Sequence, residues 1–180
     1  MASSRAAITC GSLGVLTIAT LATANVVGLR VNTTASMPRG LWRVIQRARP
    51  LRHGDIVTVC LPDIQQVRQG AERGYIPTGG CPGGYEPLVK PIAAVPGDTV
   101  DVSTGDGVSV NDEPVSGTVQ LARDSAGRVL KAFPPGAYPV APGEVWLLSG
   151  HDPRSFDSRY FGPVPAANVQ GVAQPVWVLR

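Results

Sequence analysis

From about residue 30 onward, apolar residues come in short runs, each closed by glycine, proline, asparagine or aspartate. Runs of this length between turn formers read as β-strands. They predict strands over 41–45, 55–60, 89–95, 99–102, 108–110, 145–148 and 169–179. Asn111-Asp112 lies between two of them and suits a tight turn. One stretch has a different period. In residues 62–73, Ile64, Val67 and Ala71 recur at helical spacing, with Gly74 following as a C-terminal cap. Residues 77–87 (PTGGCPGGYEP) read as a loop, and no internal repeat or heptad is present.

Residues 8–29 ahead of this pattern carry no charge. As a helix they are long enough to cross about 30 Å of hydrocarbon. Threonine and glycine dilute the run, and a buried core helix is the alternative. Ala22-Thr23-Ala24 is a small-residue pattern of the kind a signal peptidase cleaves, so anchor and signal peptide both remain open. The organisation expected is a short tail at 1–7, a transmembrane anchor or signal helix at 8–29, and one folded domain at 30–180. The fold class expected is mainly β: an antiparallel domain with one helical insertion, preceded by that single N-terminal helix.

The length of 180 residues allows one domain and a short appendage. Gly (21) and Pro (17) exceed a fifth of the sequence and are spread as punctuation, which favours turn-rich β structure over disorder. The net charge of +3 comes from scattered arginines, without the basic stripe or aromatic platform that nucleic acid requires. Charge also bears on orientation. Arg5 alone precedes the helix, while Arg30, Arg39, Arg43, Arg47 and Arg49 follow it. Counted directly, the positive-inside rule places the domain in the cytoplasm. The count loses force if those arginines belong to a folded domain meeting anionic head groups.

The cysteines are Cys10, Cys60 and Cys81. Cys60 and Cys81 lack C-x-x-C spacing and a nearby histidine, which argues against zinc. In an oxidising compartment they could close a disulfide loop of about 20 residues, and otherwise they are two thiols.

Three segments carry candidate chemistry. Thr33-Thr34-Ala35-Ser36-Met37-Pro38-Arg39-Gly40 follows the apolar run. Pro38 drives Met37 toward extended geometry, so Ser36 sits on a short stiff stretch. In residues 88–98 one lysine, Lys90, interrupts an apolar run; on a strand, positions 88, 90, 92 and 94 share a face. Lys90 is either an edge lysine with its ammonium in water, or a buried amine with a lowered pKa able to take a serine proton. Residues 150–163 (GHDPRSFDSRYFGP) follow a predicted strand; Asp157 and Arg159 have the chemistry of a local ion pair, and Ser155 offers a hydroxyl. Alone this last segment reads as a polar surface loop.

Taken together, the order of S-M-P, a strand lysine leading into P-G-D, and S-x-D-S-R resembles the signal peptidase I family of Ser/Lys peptidases. N-T-T-x-S-M-P-x-G-L-W at 32–42, E-R-G-Y-I-x-x-G-x-C-P-G-G at 72–84 running into P-L-V-K, and S-F-D-S-R-Y-F-G-P-V at 155–164 are most similar to its TraF-type, pilin-maturing conjugative-transfer subgroup. Residues 101–144 carry little of the likeness.

The resemblance implies a signal-peptidase-like β domain and a membrane-anchored serine endopeptidase without cofactor or metal. It implies Ser36 as nucleophile, Lys90 as general base, and the Ser36 N–H with the Thr34 hydroxyl as oxyanion donors. It further implies Ser155 orienting the Lys90 amine, and Asp157 paired with Arg159 to hold the loop. The substrate implied is an exported pilin-like propeptide, cut or cyclised on the periplasmic side of a bacterial inner membrane beside the conjugative transfer machinery. Two positions depart from the family pattern: Pro91 stands where many members have a basic residue, and G-H-D-P-R-S is shorter than the usual G-D-N-R version.

Other readings fit less well. His53 and His151 are the only histidines, and neither H-E-x-x-H nor G-x-S-x-G occurs. A Ser36–His151–Asp triad is compatible with residue type alone, and His53 in R-H-G-D reads as a solvated turn residue. A Ser/Lys self-cleaving repressor would need a DNA-binding region in place of residues 1–30. A non-catalytic, membrane-tethered β module of a pilus or secretion channel is the alternative from another class.

Overall fold

The computed structural model describes residues 28–46 and 49–179. The predicted tail and nearly all of the predicted 8–29 helix therefore lie outside the described residues. The overlap corrects one boundary: Gly28 is in a turn, and Leu29 opens strand β1 (Leu29–Asn32). Among the described residues no helix is long and apolar enough to cross a membrane.

The chain continues through β2 (Gly40–Ile45), β3 (Ile56–Val59), α1 (Gln65–Glu72), β4 (Leu88–Ala94), β5 (Thr99–Ser103), β6 (Gly107–Val110) and β7 (Glu113–Val115). It then forms β8 (Gly136–Pro139), β9 (Glu144–Leu147), the one-turn helix α2 (Ser158–Phe161), β10 (Val164–Pro165) and β11 (Val169–Val178). Every strand pairing is antiparallel. One sheet has the order β1-β2-β11-β3-β4-β9-β10, and the other β7-β6-β5-β8. Among the described residues the fold is mainly β with one helical insertion of more than a single turn, α1, where the 3.6-residue period placed it. Gly74 takes a left-handed φ of 78° just past its end, as a cap requires.

β9 belongs to the seven-stranded sheet but sends side chains into two cores. Val145 and Leu147 enter the core under α1 with Val57, Val59, Val67 and Ile92, while Trp146 points the other way among Val100, Val102 and Val108. Both faces are buried, so the strand is a continuous apolar run with no alternation. β4 alternates cleanly instead: Leu88, Lys90, Ile92 and Ala94 are buried, and Val89, Pro91 and Ala93 less so. Pro91 stays inside the strand because its carbonyl faces β9, accepting from Leu148 N–H at 3.3 Å. The N–H it lacks would face the same side, where the ladder is already shifted between Ile92 and Ala94.

The tight turn at Asn111-Asp112 is present, with φ of 51° and 67°. Asn111 accepts from Thr99 N–H and donates to Asp98, the aspartate of P-G-D. Asp98 also receives Val95 N–H and hydrogen-bonds His53. His53 is thus half exposed but partnered, tying the approach to β3 to the turns of the smaller sheet, rather than simply solvated.

Cys60 and Cys81 are joined by a disulfide, with Cα atoms 5.5 Å apart and a sequence separation of 21. The loop it closes contains α1 and Tyr75. Replacing both cysteines by alanine is expected to lower stability by roughly 3 kcal/mol through the freed unfolded chain, read as a fall in the urea midpoint.

Candidate active site

The pairing of Asn32 with Gly40 makes residues 33–39 the loop of the β1–β2 hairpin, with Ser36 at its tip. The loop is held from inside. Asn32, only 7% exposed, donates through Nδ2 to the carbonyls of Thr34, Met37 and Pro38, each at 3.1 Å. Its Oδ1 accepts from the Thr34 N–H and, at 2.8 Å, from the Thr34 hydroxyl. Met37 is buried against Trp42 and Ala173, and Trp42 donates its indole N–H to Pro38 O. Gly40 has φ of 142°, and a Cβ there would meet the Trp177 carbonyl at 2.2 Å. Only glycine lets β11 close against the hairpin at that point. Ser36 Oγ lies 3.3 Å from Thr34 Oγ1.

β4 brings Lys90 to the same cleft. The side chain is 1% exposed, and Nζ donates to Ser155 Oγ at 2.6 Å. Burial is the main force on the amine. It outweighs the pull of Asp157 and Asp152 toward the charged form, is reinforced by Arg159, and lowers the pKa to about 8. Ser36, Thr34, Lys90, Asp152 and Ser155 all line one cavity of about 230 Å³. No hydrogen bond among the described residues joins Ser36 to Lys90; bonds of this kind commonly tighten only with substrate in place.

Asp157 and Arg159 stand behind the cleft. Neither is exposed, and they pair bidentately, Nε to Oδ1 at 2.8 Å and Nη2 to Oδ2 at 2.9 Å. Arg159 also donates to Ser149 O at 2.6 Å and Gly117 O at 2.9 Å, and Asp157 Oδ2 accepts from Ser149 N–H. Ser149 in turn donates its hydroxyl to Ser36 O. The ion pair therefore reaches the Ser36 loop through Ser149, while Ser155 alone of this segment hydrogen-bonds Lys90.

Among the residues singled out in the sequence, Ser36, Thr34, Lys90 and Ser155 come together. Asp157 and Arg159 support them from below. The Cys60–Cys81 pair lies in the core under α1. His151 is exposed and lines no part of the cleft, so a triad through it is not assembled. Asn32 and Ser149 carry roles that spacing did not assign. A buried asparagine between a strand and a serine loop was the available signal for the first, and nothing local marked the second. Among the described residues no three His, Cys, Asp or Glu side chains converge as a metal-binding group.

Residues 3–178 match the family model described as signal peptidase, peptidase S26. The chain is 41% identical over 159 residues to a probable conjugal transfer protein TraF of Sinorhizobium fredii, covering 88% of this chain and 82% of the relative. It is 42% identical over 150 residues to the conjugal transfer protein TraF of Agrobacterium fabrum (83% and 82%), and 38% over 149 residues to a plasmid transfer protein TraF of Escherichia coli (83% and 82%). Among solved structures, a signal peptidase I from Enterococcus faecalis aligns with a TM-score of 0.37 at 22% identity, over 69% of this chain and 97% of that one.

Two stability predictions follow from the burial of charge. Lys90 has a folded pKa of about 8, below its ordinary 10.5. Below pH 8 both states carry the proton, and the fold bears the whole desolvation cost. As pH rises from about 8 toward 10.5 the folded amine neutralises first, and stability increases. Lys90→Met is therefore expected to raise stability at pH 7 by roughly 1–3 kcal/mol, with the gain shrinking by pH 10 in urea titrations. Arg159→Met leaves Asp157 buried without its partner and is expected to cost about 3–5 kcal/mol or prevent folding, measured by the same titrations.

Proposed function

The chain belongs to the signal peptidase family, peptidase S26, and we propose that it is a membrane-anchored serine endopeptidase in which Ser36 attacks and Lys90 serves as base. The observation that carries this reading is Lys90. An amine buried on a β-strand, lowered to about 8 and lining the same cavity as Ser36, costs the fold stability that an apolar side chain there would not, which points to a role in chemistry. That cost also disfavours the non-catalytic β module.

Ser155 accepts one Lys90 N–H, which leaves the nitrogen lone pair of the neutral amine to face the cleft. Lys90 takes the Ser36 proton as Oγ bonds to the substrate carbonyl carbon. The resulting tetrahedral oxyanion needs donors fixed in advance; the Ser36 N–H and the Thr34 hydroxyl are the proposed pair. Thr34 currently gives its proton to Asn32 Oδ1, so it must change acceptor as charge develops. Collapse breaks the C–N bond, and the departing amine takes the proton from Lys90. The acyl-enzyme is then resolved by water. If the substrate's own amino terminus reaches the ester instead, a new peptide bond forms and the product is a ring.

Relatives bearing conjugal-transfer names support a place beside conjugative machinery; an exported pilin-like propeptide is the substrate proposed there. Residues 8–27 are proposed as the membrane anchor. The Cys60–Cys81 disulfide supports a periplasmic setting for the domain, since such bonds persist in oxidising compartments. The cut would then fall close to the bilayer surface.

Ser36→Ala and Lys90→Ala are each expected to lower processing by roughly 10³-fold or more; processing retained in either would overturn the dyad. The wild-type rate should climb about tenfold per pH unit below the Lys90 pKa and level off above about 8. A flat profile across that range counts against Lys90 as base. Mass spectrometry of the processed pilin separates the two outcomes, because a ring is lighter than the linear product by one water.

A further inference from the structure

Asn32 staples the hairpin loop, and its orientation also fixes the protons of the two hydroxyls beside it. The amide fits in one sense only. Nδ2 faces the carbonyls of Thr34, Met37 and Pro38, which accept and cannot donate. Oδ1 faces the Thr34 N–H, which donates and cannot accept. Turning the amide over would set one oxygen against three others and an NH2 group against an N–H. Oδ1 is therefore an acceptor, and the Thr34 hydroxyl, 2.8 Å from it, is the donor.

A hydroxyl has one proton to give and two lone pairs. With its proton given to Asn32, Thr34 Oγ1 has only lone pairs left for Ser36 Oγ at 3.3 Å. The proton in that contact belongs to Ser36. Protons along the loop thus run in one direction, from Ser36 to Thr34 and from Thr34 to Asn32. Asn32 is 7% exposed, so water is poorly placed to replace it as acceptor. Without Oδ1, the contact remaining to the Thr34 hydroxyl among the described residues is Ser36 Oγ. The bond would then run backward and cover a lone pair on the oxygen that has to attack.

The order is also easily undone. A developing oxyanion is a stronger acceptor than an amide oxygen, because hydrogen bonds to ionised groups are about twice as strong as neutral ones. Giving up the hydroxyl proton does not orphan Asn32 Oδ1, which keeps the Thr34 N–H at 3.2 Å. The three carbonyl bonds of Nδ2 are untouched by the exchange, so the loop holds its shape while one proton turns.

We propose that Asn32 is a positioning residue of the reaction. It holds the Thr34 proton off the Ser36 oxygen in the resting chain and yields it to the substrate as the oxyanion forms. Asn32 makes no contact with substrate and acts through Thr34. The role rests on the Ser36–Lys90 reading, with Thr34 as an oxyanion donor; the resting proton order does not.

The order is tested by neutron diffraction from crystals of the perdeuterated full chain in detergent. Deuterium on Thr34 Oγ1 is expected on the line to Asn32 Oδ1, and that on Ser36 Oγ on the line to Thr34. A Thr34 deuterium aimed at Ser36 would overturn the proposal. The consequence is tested by a double-mutant cycle on processing of the pilin-like propeptide. Asn32→Leu, checked for native circular dichroism and cooperative melting, should lower kcat roughly tenfold or more with KM within about threefold. In a Thr34→Val chain the same substitution should change kcat by less than about threefold, since the hydroxyl it governs is gone. Equal losses in both backgrounds, or a change in KM alone, mean that Asn32 only holds the hairpin, and the positioning role fails. If Asn32→Leu does not fold, the deuterium positions decide alone. If Lys90→Ala still processes the propeptide while the deuterium atoms lie as expected, the dyad reading fails and the proton order stands.

Discussion

A carboxylate and a guanidinium with no solvent exposure sit at the centre of this fold, and the placement of the cleft depends on them. Dehydrating two such ions costs several kcal/mol each unless their hydrogen-bonding capacity is filled. Here it is filled from three directions. Arg159 reaches Ser149 after β9, Gly117 after β7 and Pro153 before α2, while Asp157 caps α2 by accepting Arg159 N–H. The stretch after β7 and the connection between β9 and α2 are thereby fixed to one point, and Ser149 passes that constraint on to the carbonyl of Ser36. The pair also acts on Lys90 with opposite signs, which leaves burial to decide how strongly the amine holds its proton.

What was legible in the sequence is what local chemistry dictates. Strand periodicity in 88–94 put Lys90 on one face with Leu88, Ile92 and Ala94 and left open whether that face was buried, the 3.6-residue period located α1, and a proline after Ser36-Met37 announced a stiff loop. The order of three motifs identified the family. What was not legible depends on contacts distant in sequence. β1 was hidden because Leu29 extends an apolar run that reads equally well as helix. β7 and β8 are too short and too exposed to show a period, and β10 has only two residues. Residues 121–130 (LARDSAGRVL) look like solvated loop, and their shape comes from Tyr75, 49 positions away from Asp124. His53 looked solvated for the same reason: its partner Asp98 lies 45 positions on.

The cleft joins elements of very different robustness. β4 is an interior strand, flanked by β3 and β9, and it gives Lys90 a backbone that cannot drift. Ser36 rides on a hairpin at the sheet edge, where β1 has β2 as its strand partner. The edge loop is compensated by Asn32, whose amide stitches three carbonyls that water would otherwise compete for. One half of the site is rigid because of where it lies in the sheet, and the other because of a single side chain.

The last strand has a consequence for the order in which the molecule is made. β11 lies between β2 and β3, so the hairpin bearing Ser36 joins the strands bearing Lys90 only when residues 169–178 are in place. A chain growing from its N-terminus exposes the hydroxyl early and the amine at mid-synthesis, yet the two sit in one sheet only after nearly the whole polypeptide has emerged. If Ser36 and Lys90 act together as proposed, half-made chains and C-terminally clipped fragments stay inert. The fold itself does the work of a propeptide, withholding a peptide-cutting surface until there is a finished molecule to carry it.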